Sequence, residues 1–298
     1  MEPNDQELFQ MVLEADDEGL SKGEEPKSRN VTTVRRVMER LGYKQYIIFG
    51  EFSPAIVGRI NGIINSLYRT QDLAIGGMHL GVFMFRDVFA KVRIPIILGR
   101  VKIDPLSHVD LSQSQIDWMK SRQSDIYAYY DQFADLFDFG YGGHELGYKR
   151  EVNENCKSLM ELSHFQLQAA AAVVTEAYDY RGAVQSALIG TELALKAGLS
   201  ANGEDDNKLK NYSHNTVKAI NAFSKYEKNF DAMRAIKVAK NFPKYVENRY
   251  SPAQPSRVEI GHIIMGAQYI ASEVVRQISH RNFRNDYNIN CDRFYPAI

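Results

Sequence analysis

The sequence predicts an α+β N-terminal domain followed by an all-α, up-down helical bundle. Three observations predict it. Val88, Ala90, Val92, Ile94 and Ile96 alternate with Phe89, Lys91, Arg93, Pro95 and Ile97, and a period of two sends successive side chains to opposite faces of a strand. From residue 156 onward, apolar residues recur at spacings of three and four, the helical period. Between the two regions, 139–155 is Gly-rich and charged, the composition of a linker. The expected divisions are an acidic flexible leader (1–30), an α+β domain (31–138), the linker (139–155), the bundle (156–284) and a C-terminal tail (285–298).

At 298 residues the chain can hold two domains, each with its own core. Charged residues are 24% and apolar residues 44% of the chain, ordinary for a globular protein. No apolar run approaches the length of a membrane span, and the acidic N-terminus has no apolar signal core. The cytoplasm is therefore the expected location. Cys156 and Cys291 are too few for a disulfide framework or a thiolate metal site. Charge is unevenly spread. Residues 1–30 hold nine acids against three bases, a net −6, whereas 207–293 hold 15 Lys and Arg against seven Asp and Glu, a net +8. A basic half suits a polyanionic partner; the plainer reading is a solvated helical surface.

Taken in order, Leu8, Phe9, Val12 and Leu13 fit one short helix in the leader, which the Gly19–Pro26 stretch breaks. Thr32–Leu41 reads as a helix with Thr33 as candidate N-cap and Gly42 as stop. Tyr43–Gly50 reads as a strand, and 55–69 is ambiguous because Gly58 and Gly62 weaken both readings. Met78–Phe85 and Val88–Ile103 read as strands, the second placed at an edge by Pro95. Leu111–Arg122 and Ser124–Phe137 read as helices. His79 follows Gly76-Gly77 without a phosphate loop, and His144-Glu145 lacks the second histidine of a metalloprotease helix. Asp104, His108 and Asp110 are metal ligands by type, but loop residues by setting. In the bundle, Leu159–Ala177, Ala183–Leu195, Ser213–Phe223 and Phe230–Phe242 show helical periods, with 199–212 a polar loop.

The last helix has the clearest local signature. Ser256 with Glu259 three residues on is a capping box. Beyond it, Ile260, Ile264, Ala267, Ala271, Val274 and Ile278 form one apolar stripe. The opposite face carries His262, Gly266, Tyr269, Glu273, Arg276 and His280. A mid-helix glycine costs about 1 kcal/mol against alanine, so Gly266 suggests close approach of another backbone. This face is therefore expected to be a subunit interface or a nucleic-acid cleft.

Tyr180-Arg181-Gly182-Ala183-Val184-Gln185-Ser186-Ala187, followed by Thr191-Glu192-Leu193-Ala194-Leu195-Lys196-Ala197, resembles the second helix of HEPN domains (higher eukaryotes and prokaryotes nucleotide-binding). Ser213-His214-Asn215 is similar to the family's His-Asp-Leu position, with Asn215 and Thr216 in place of Asp-Leu. Arg249-Tyr250-Ser251-Pro252 is similar to its Arg-Tyr-Pro turn. The resemblance covers about 157–284 and does not extend to residues 1–150.

Many HEPN domains are metal-independent endoribonucleases whose signature is an Arg, four to six residues, then a His near the start of the last helix. Arg257 and His262 match that spacing. The resemblance implies that His262 is the general base or acid on the RNA 2′-hydroxyl. Arg257 would hold the scissile phosphate, with Arg249 as a rival. Tyr250, Tyr269 and Arg276 would be RNA or nucleotide contacts, no cofactor or metal is required, and a homodimer would form through the last helix. Val258 departs from the polar residue usual after the Arg. Ideal geometry also sets Arg257 about 140° from His262 around the helix. The alternative is a non-catalytic HEPN module binding nucleotide, RNA or a partner protein. A third reading gives the activity to residues 30–138 and leaves the bundle to dimerise.

Overall fold

The computed structural model describes residues 3–48, 50, 52–73, 76–176, 179–244, 255–286 and 292–296. The chain is mostly helical and divides into two units, 1–76 and 77–298.

In the first unit, α1 (Asp5–Ser21), α2 (Pro26–Arg40) and α3 (Ala55–Leu67) pack together, with a short α4 (Thr70–Leu73). Leu8, Val12 and Ala15 of α1 meet Val34, Val37 and Met38 of α2 and Ile60 of α3 in one core. The expected flexible leader is thus α1, which contains the short helix read from Leu8, Phe9, Val12 and Leu13, and the start of α2. Its acids do not keep it open because arginines of α2 neutralise them: Arg36 pairs with Glu24, and Arg29 lies 3.5 Å from Asp16. Tyr43–Gly50 forms no strand among its described residues.

The second unit begins with the only sheet among the described residues, a hairpin of β1 (His79–Phe85) and β2 (Val88–Ile94). Phe85 pairs with Val88, so Arg86 and Asp87 form a two-residue turn. The sheet therefore belongs with the bundle and not with an N-terminal α+β domain, and the second strand ends at Ile94, before Pro95. A 3₁₀ turn (Pro105–His108) leads to α5 (Gln113–Lys120) and α6 (Gln123–Tyr148). Asp104 caps that turn through the Leu106 N–H, and His108 stacks on Phe133. Among the described residues no three His, Cys, Asp or Glu side chains are grouped as they would be to hold a metal ion.

The expected linker lies largely inside α6. Two of its glycines permit tight helix packing: a Cβ at Gly140 would lie 2.9 Å from the Cβ of His79, and one at Gly142 would lie 2.4 Å from Val275 Cγ1. Next come α7 (Glu154–Glu176) and α8 (Tyr180–Ala201), an antiparallel pair in which Ser163 Oγ donates to the Gly190 carbonyl at 2.7 Å. Then follow α9 (Asp206–Tyr212), inside the expected polar loop, α10 (Thr216–Tyr226) and α11 (Ala232–Ala239). Asn215, not Ser213, caps α10, its side chain accepting from the Lys218 N–H. The last long helix, α12 (Arg257–Ser279), starts at the expected Ser256–Glu259 capping box, and α13 (Phe283–Asp286) follows.

Helix α12 packs between α6 and α8 and closes the open edge of β1. The Gln268 amide accepts from the Val82 N–H and donates to the Val82 carbonyl, both at 2.8 Å. A side chain thus supplies the two bonds a third strand would make, which removes an edge open to pairing.

Candidate nucleic-acid interface

Helix α12 divides at its second turn. Arg257, Val258, Glu259 and His262 are exposed, and from Ile263 onward nearly every residue is buried or half-buried. The sequence places Tyr269 and Arg276 on a solvent or ligand face; both are instead interior. Tyr269 is 0% exposed, lies under the Arg293 guanidinium at 4.8 Å, and burial drives its phenol strongly upward. A Cβ at Gly266 would meet Val238 Cγ1 at 2.6 Å. This glycine admits the chain's own α11, and the expected dimer contact through Gly266 and Tyr269 is covered. Arg249 and Tyr250 lie outside the described residues.

Arg276 sits in a buried ion-pair network. Its Nε donates to Asp138 Oδ2 at 2.6 Å, one Nη to Asp135 Oδ1 at 2.6 Å, and the other to Glu273 Oε1 at 2.5 Å. Arg293 donates to Asp135 and Arg284 to Asp131. Part of the basic excess of 207–293 is therefore turned inward onto the acids of α6. The crowded interior pushes Asp138 up to about 6: burial outweighs the pull of Arg276 and of the Phe283 N–H.

The remaining predicted pair, Arg257 and His262, stands at the exposed end. Arg257 is held there. Its Nε donates to the carbonyl of Asp87 in the hairpin turn at 2.9 Å, and an Nη donates to the Tyr180 hydroxyl at the start of α8. The guanidinium lies 4.7 Å from the Phe89 ring centroid and 5.7 Å from that of Tyr180. His262 is exposed and does not pack into the core. The structure records no contact between the two side chains.

The other half of the same turn carries a second arginine–aromatic group, which sequence reasoning missed. Arg86 adopts a left-handed φ of 61°, a position that two-residue turns ordinarily give to Asn, Asp or Gly. Its guanidinium lies 4.4 Å above the ring of Trp118, the one tryptophan of the chain, which is 45% exposed. Arg122 approaches the same ring at 5.9 Å, and Phe85 meets it edge-on at 5.6 Å. Strained backbone of this kind clusters at functional sites. The available signal was the Phe85-Arg86-Asp87-Val88 break between two β-like runs, which places an arginine at a hairpin tip. Guanidinium planes and exposed aromatic faces are surfaces on which unpaired bases stack.

A cleft of about 590 Å³ opens elsewhere on the bundle, between α8 and the start of α10. In it His214 Nδ1 lies 2.8 Å from Glu192 Oε2, beside Ser213 at a φ of 46°. Neither Arg257 nor His262 lines this cleft. No family model matches the chain, and no curated protein or solved structure matches it. No helix among the described residues is long and apolar enough to cross a membrane.

Proposed function

We propose that the second unit is a HEPN-like, non-catalytic module that binds single-stranded RNA across the hairpin tip. The observation that carries this reading is the double engagement of one turn: Arg86 lies on Trp118, and the next residue, Asp87, holds Arg257 beside Phe89 and Tyr180. Consecutive Cα atoms are about 3.8 Å apart, so two arginine–aromatic groups flank one short turn. Bases stack on the rings and guanidinium planes, and the arginine charges meet the phosphates. Arg257 acts as a strut as well as a contact, since its donors already serve the hairpin and α8. Its commitment favours binding over cleavage, because a phosphate holder needs donors aimed at the reacting oxygens. Cleavage with His262 as general base is the second reading, favoured by the exposure of His262 five residues from Arg257.

One experiment decides between them. Labelled oligouridine is titrated with the chain in EDTA, following anisotropy, Trp118 fluorescence and RNA length. The binding reading expects salt-sensitive anisotropy, quenching of Trp118 and intact RNA. Absence of binding overturns it. Cleavage that disappears in His262→Ala establishes the second reading instead.

A further inference from the structure

A cavity of about 470 Å³ opens between α6 and α7, away from the hairpin tip. Two glycines one helical turn apart help to open it: a Cβ at Gly147 would meet nothing within 4 Å, and one at Gly143 only Met160 Cγ at 3.7 Å. Its wall is aromatic: the Phe139 and His164 rings stack at 5.9 Å with planes 14° apart. Behind them His79 is fully buried, edge-on to Phe139 at 5.0 Å and to His164 at 4.7 Å. Neither of its ring nitrogens has a hydrogen-bond partner among the described residues. At the mouth, His144 meets the exposed Tyr148 edge-on at 5.0 Å.

The charges lining this cavity are few. Lys157 Nζ lies 2.8 Å from Glu154 Oε1, so that pair cancels. Glu161, exposed at the rim, is the remaining carboxylate. Burial holds His164 down to about 4 and His79 well below its ordinary value, so both imidazoles are neutral near pH 7 and add no positive charge. The lining is therefore aromatic with a negative mouth. An anion would meet Glu161 with no unpaired lysine or arginine lining the cavity to receive it. Aromatic faces carry the negative part of the ring quadrupole and attract cations, most strongly where water is excluded.

We propose that this cavity binds a small organic ammonium ion, with His164 and Tyr148 taking the cation on their ring faces, the buried Phe139 backing His164, and the Glu161 carboxylate at the mouth. A volume of about 470 Å³ lies within the usual span for small-molecule sites. The site is independent of RNA binding at the hairpin tip.

Choline and its uncharged carbon isostere, 3,3-dimethyl-1-butanol, distinguish charge recognition from mere hydrophobic filling. Calorimetric titration of the full chain at neutral pH is expected to show choline binding about tenfold more tightly than the isostere, the scale of a partly desolvated cation–π contact. Glu161→Gln weakens choline binding and leaves the isostere unchanged. Gly143→Leu fills the cavity. A Cβ there meets only Met160 Cγ, at 3.7 Å, so this variant is expected to melt at or above the wild-type temperature while losing choline. Equal binding of choline and isostere overturns the proposal, as does absence of choline binding to wild type. Choline binding retained by a folded Gly143→Leu chain overturns it too. Should that variant fail to fold, Glu161→Gln still decides, because its side chain is exposed. A trimethyllysine peptide that binds where choline does not would overturn the assignment to a free small molecule.

Discussion

Arg257, the first residue of α12, donates its Nε–H to the carbonyl oxygen of Asp87 at 2.9 Å, across 170 positions of sequence. A long helix is thereby tied at its start to the turn of the hairpin whose edge it closes further along through Gln268 and Val82. The turn cannot shift without moving both arginine–aromatic groups. The bundle's last helix thus fixes the geometry of the proposed RNA surface as well as contributing to it.

Arg257→Lys tests this double role. Lysine keeps the charge and loses the planar fork that serves the Asp87 carbonyl, the Tyr180 hydroxyl and the Phe89 face together. The unfolding free energy is expected to fall by about 1 kcal/mol, the scale of a net hydrogen bond. Oligouridine affinity should fall as well, despite the unchanged charge. Denaturant melts and anisotropy titrations measure the two effects separately.

Trp118→Ala removes the stacking ring on the other side of the turn. Loss of one base–aromatic stack costs about 1–3 kcal/mol of binding, so oligouridine affinity is expected to fall by at least about fivefold. Because the ring is half exposed, the fold should survive, as circular dichroism would record. Unchanged affinity in this variant would remove Trp118 from the interface.

Arg276→Ala should act on the fold instead. Its guanidinium is buried against Asp135, Asp138 and Glu273. Removing it leaves carboxylates in the interior without their cation, a loss of about 3–5 kcal/mol. Denaturant unfolding measures this directly. A variant that loses RNA affinity at wild-type stability would return Arg276 to the ligand face that the helical period suggested.

That contrast shows which features were legible in the sequence. The Ser256–Glu259 capping box and the start of α12 could be read because every group involved lies within three residues. Helical period also placed Ile260, Ile264, Ala267, Ala271 and Val274 in the interior, where they are. It failed for Tyr269 and Arg276 because their covers come from far away, Asp135 and Asp138 on α6 and Arg293 near the C-terminus. Gly140 and Gly142 suggested a linker because glycine locally weakens a helix; their reason is the close approach of His79 and Val275. The leader misled for a similar cause, since composition counts its acids but does not reveal that Arg29 and Arg36 fold back on them. Of the candidate site, Arg257 and His262 were found at an exposed helix start, but the Trp118 group was not. A hairpin tip and a separate helix must fold together before Arg86 meets Trp118.

Asp138 gives the network a pH signature. Its folded-state value, raised to about 6 from an ordinary value of 3.8, means that the native chain binds the proton more tightly than the unfolded chain. Between about pH 4 and pH 6 the native state therefore holds more protons at this site. The contribution of Asp138 to stability consequently falls as pH rises through that window. Glu24, held down to about 2 by Arg36 and Thr32, works in the opposite direction in the first unit, its contribution being lost as pH falls from about 4.5 toward 2. Comparing urea melts of wild type and Asp138→Asn from pH 4 to pH 7 isolates the Asp138 term. The wild type should lose stability relative to the variant as pH rises toward 6. A difference that stays flat across the window would show that Asp138 keeps an ordinary carboxyl value.

The two glycines Gly142 and Gly143 make opposite predictions one residue apart. A Cβ at Gly142 would lie 2.4 Å from Val275 Cγ1 and 2.8 Å from Ser279 Oγ, both on the buried face of α12. At Gly143 such a Cβ would meet only Met160 Cγ, at 3.7 Å, an ordinary contact. Alanine recovers about 1 kcal/mol over glycine in a helix interior. At Gly142 that gain is opposed by overpacking, which costs about 1–3 kcal/mol. Gly143→Ala is thus expected to raise the melting temperature and Gly142→Ala to lower it. The opposite order in thermal melts would mean that α6 and α12 do not pack as closely as the Gly142–Val275 approach requires.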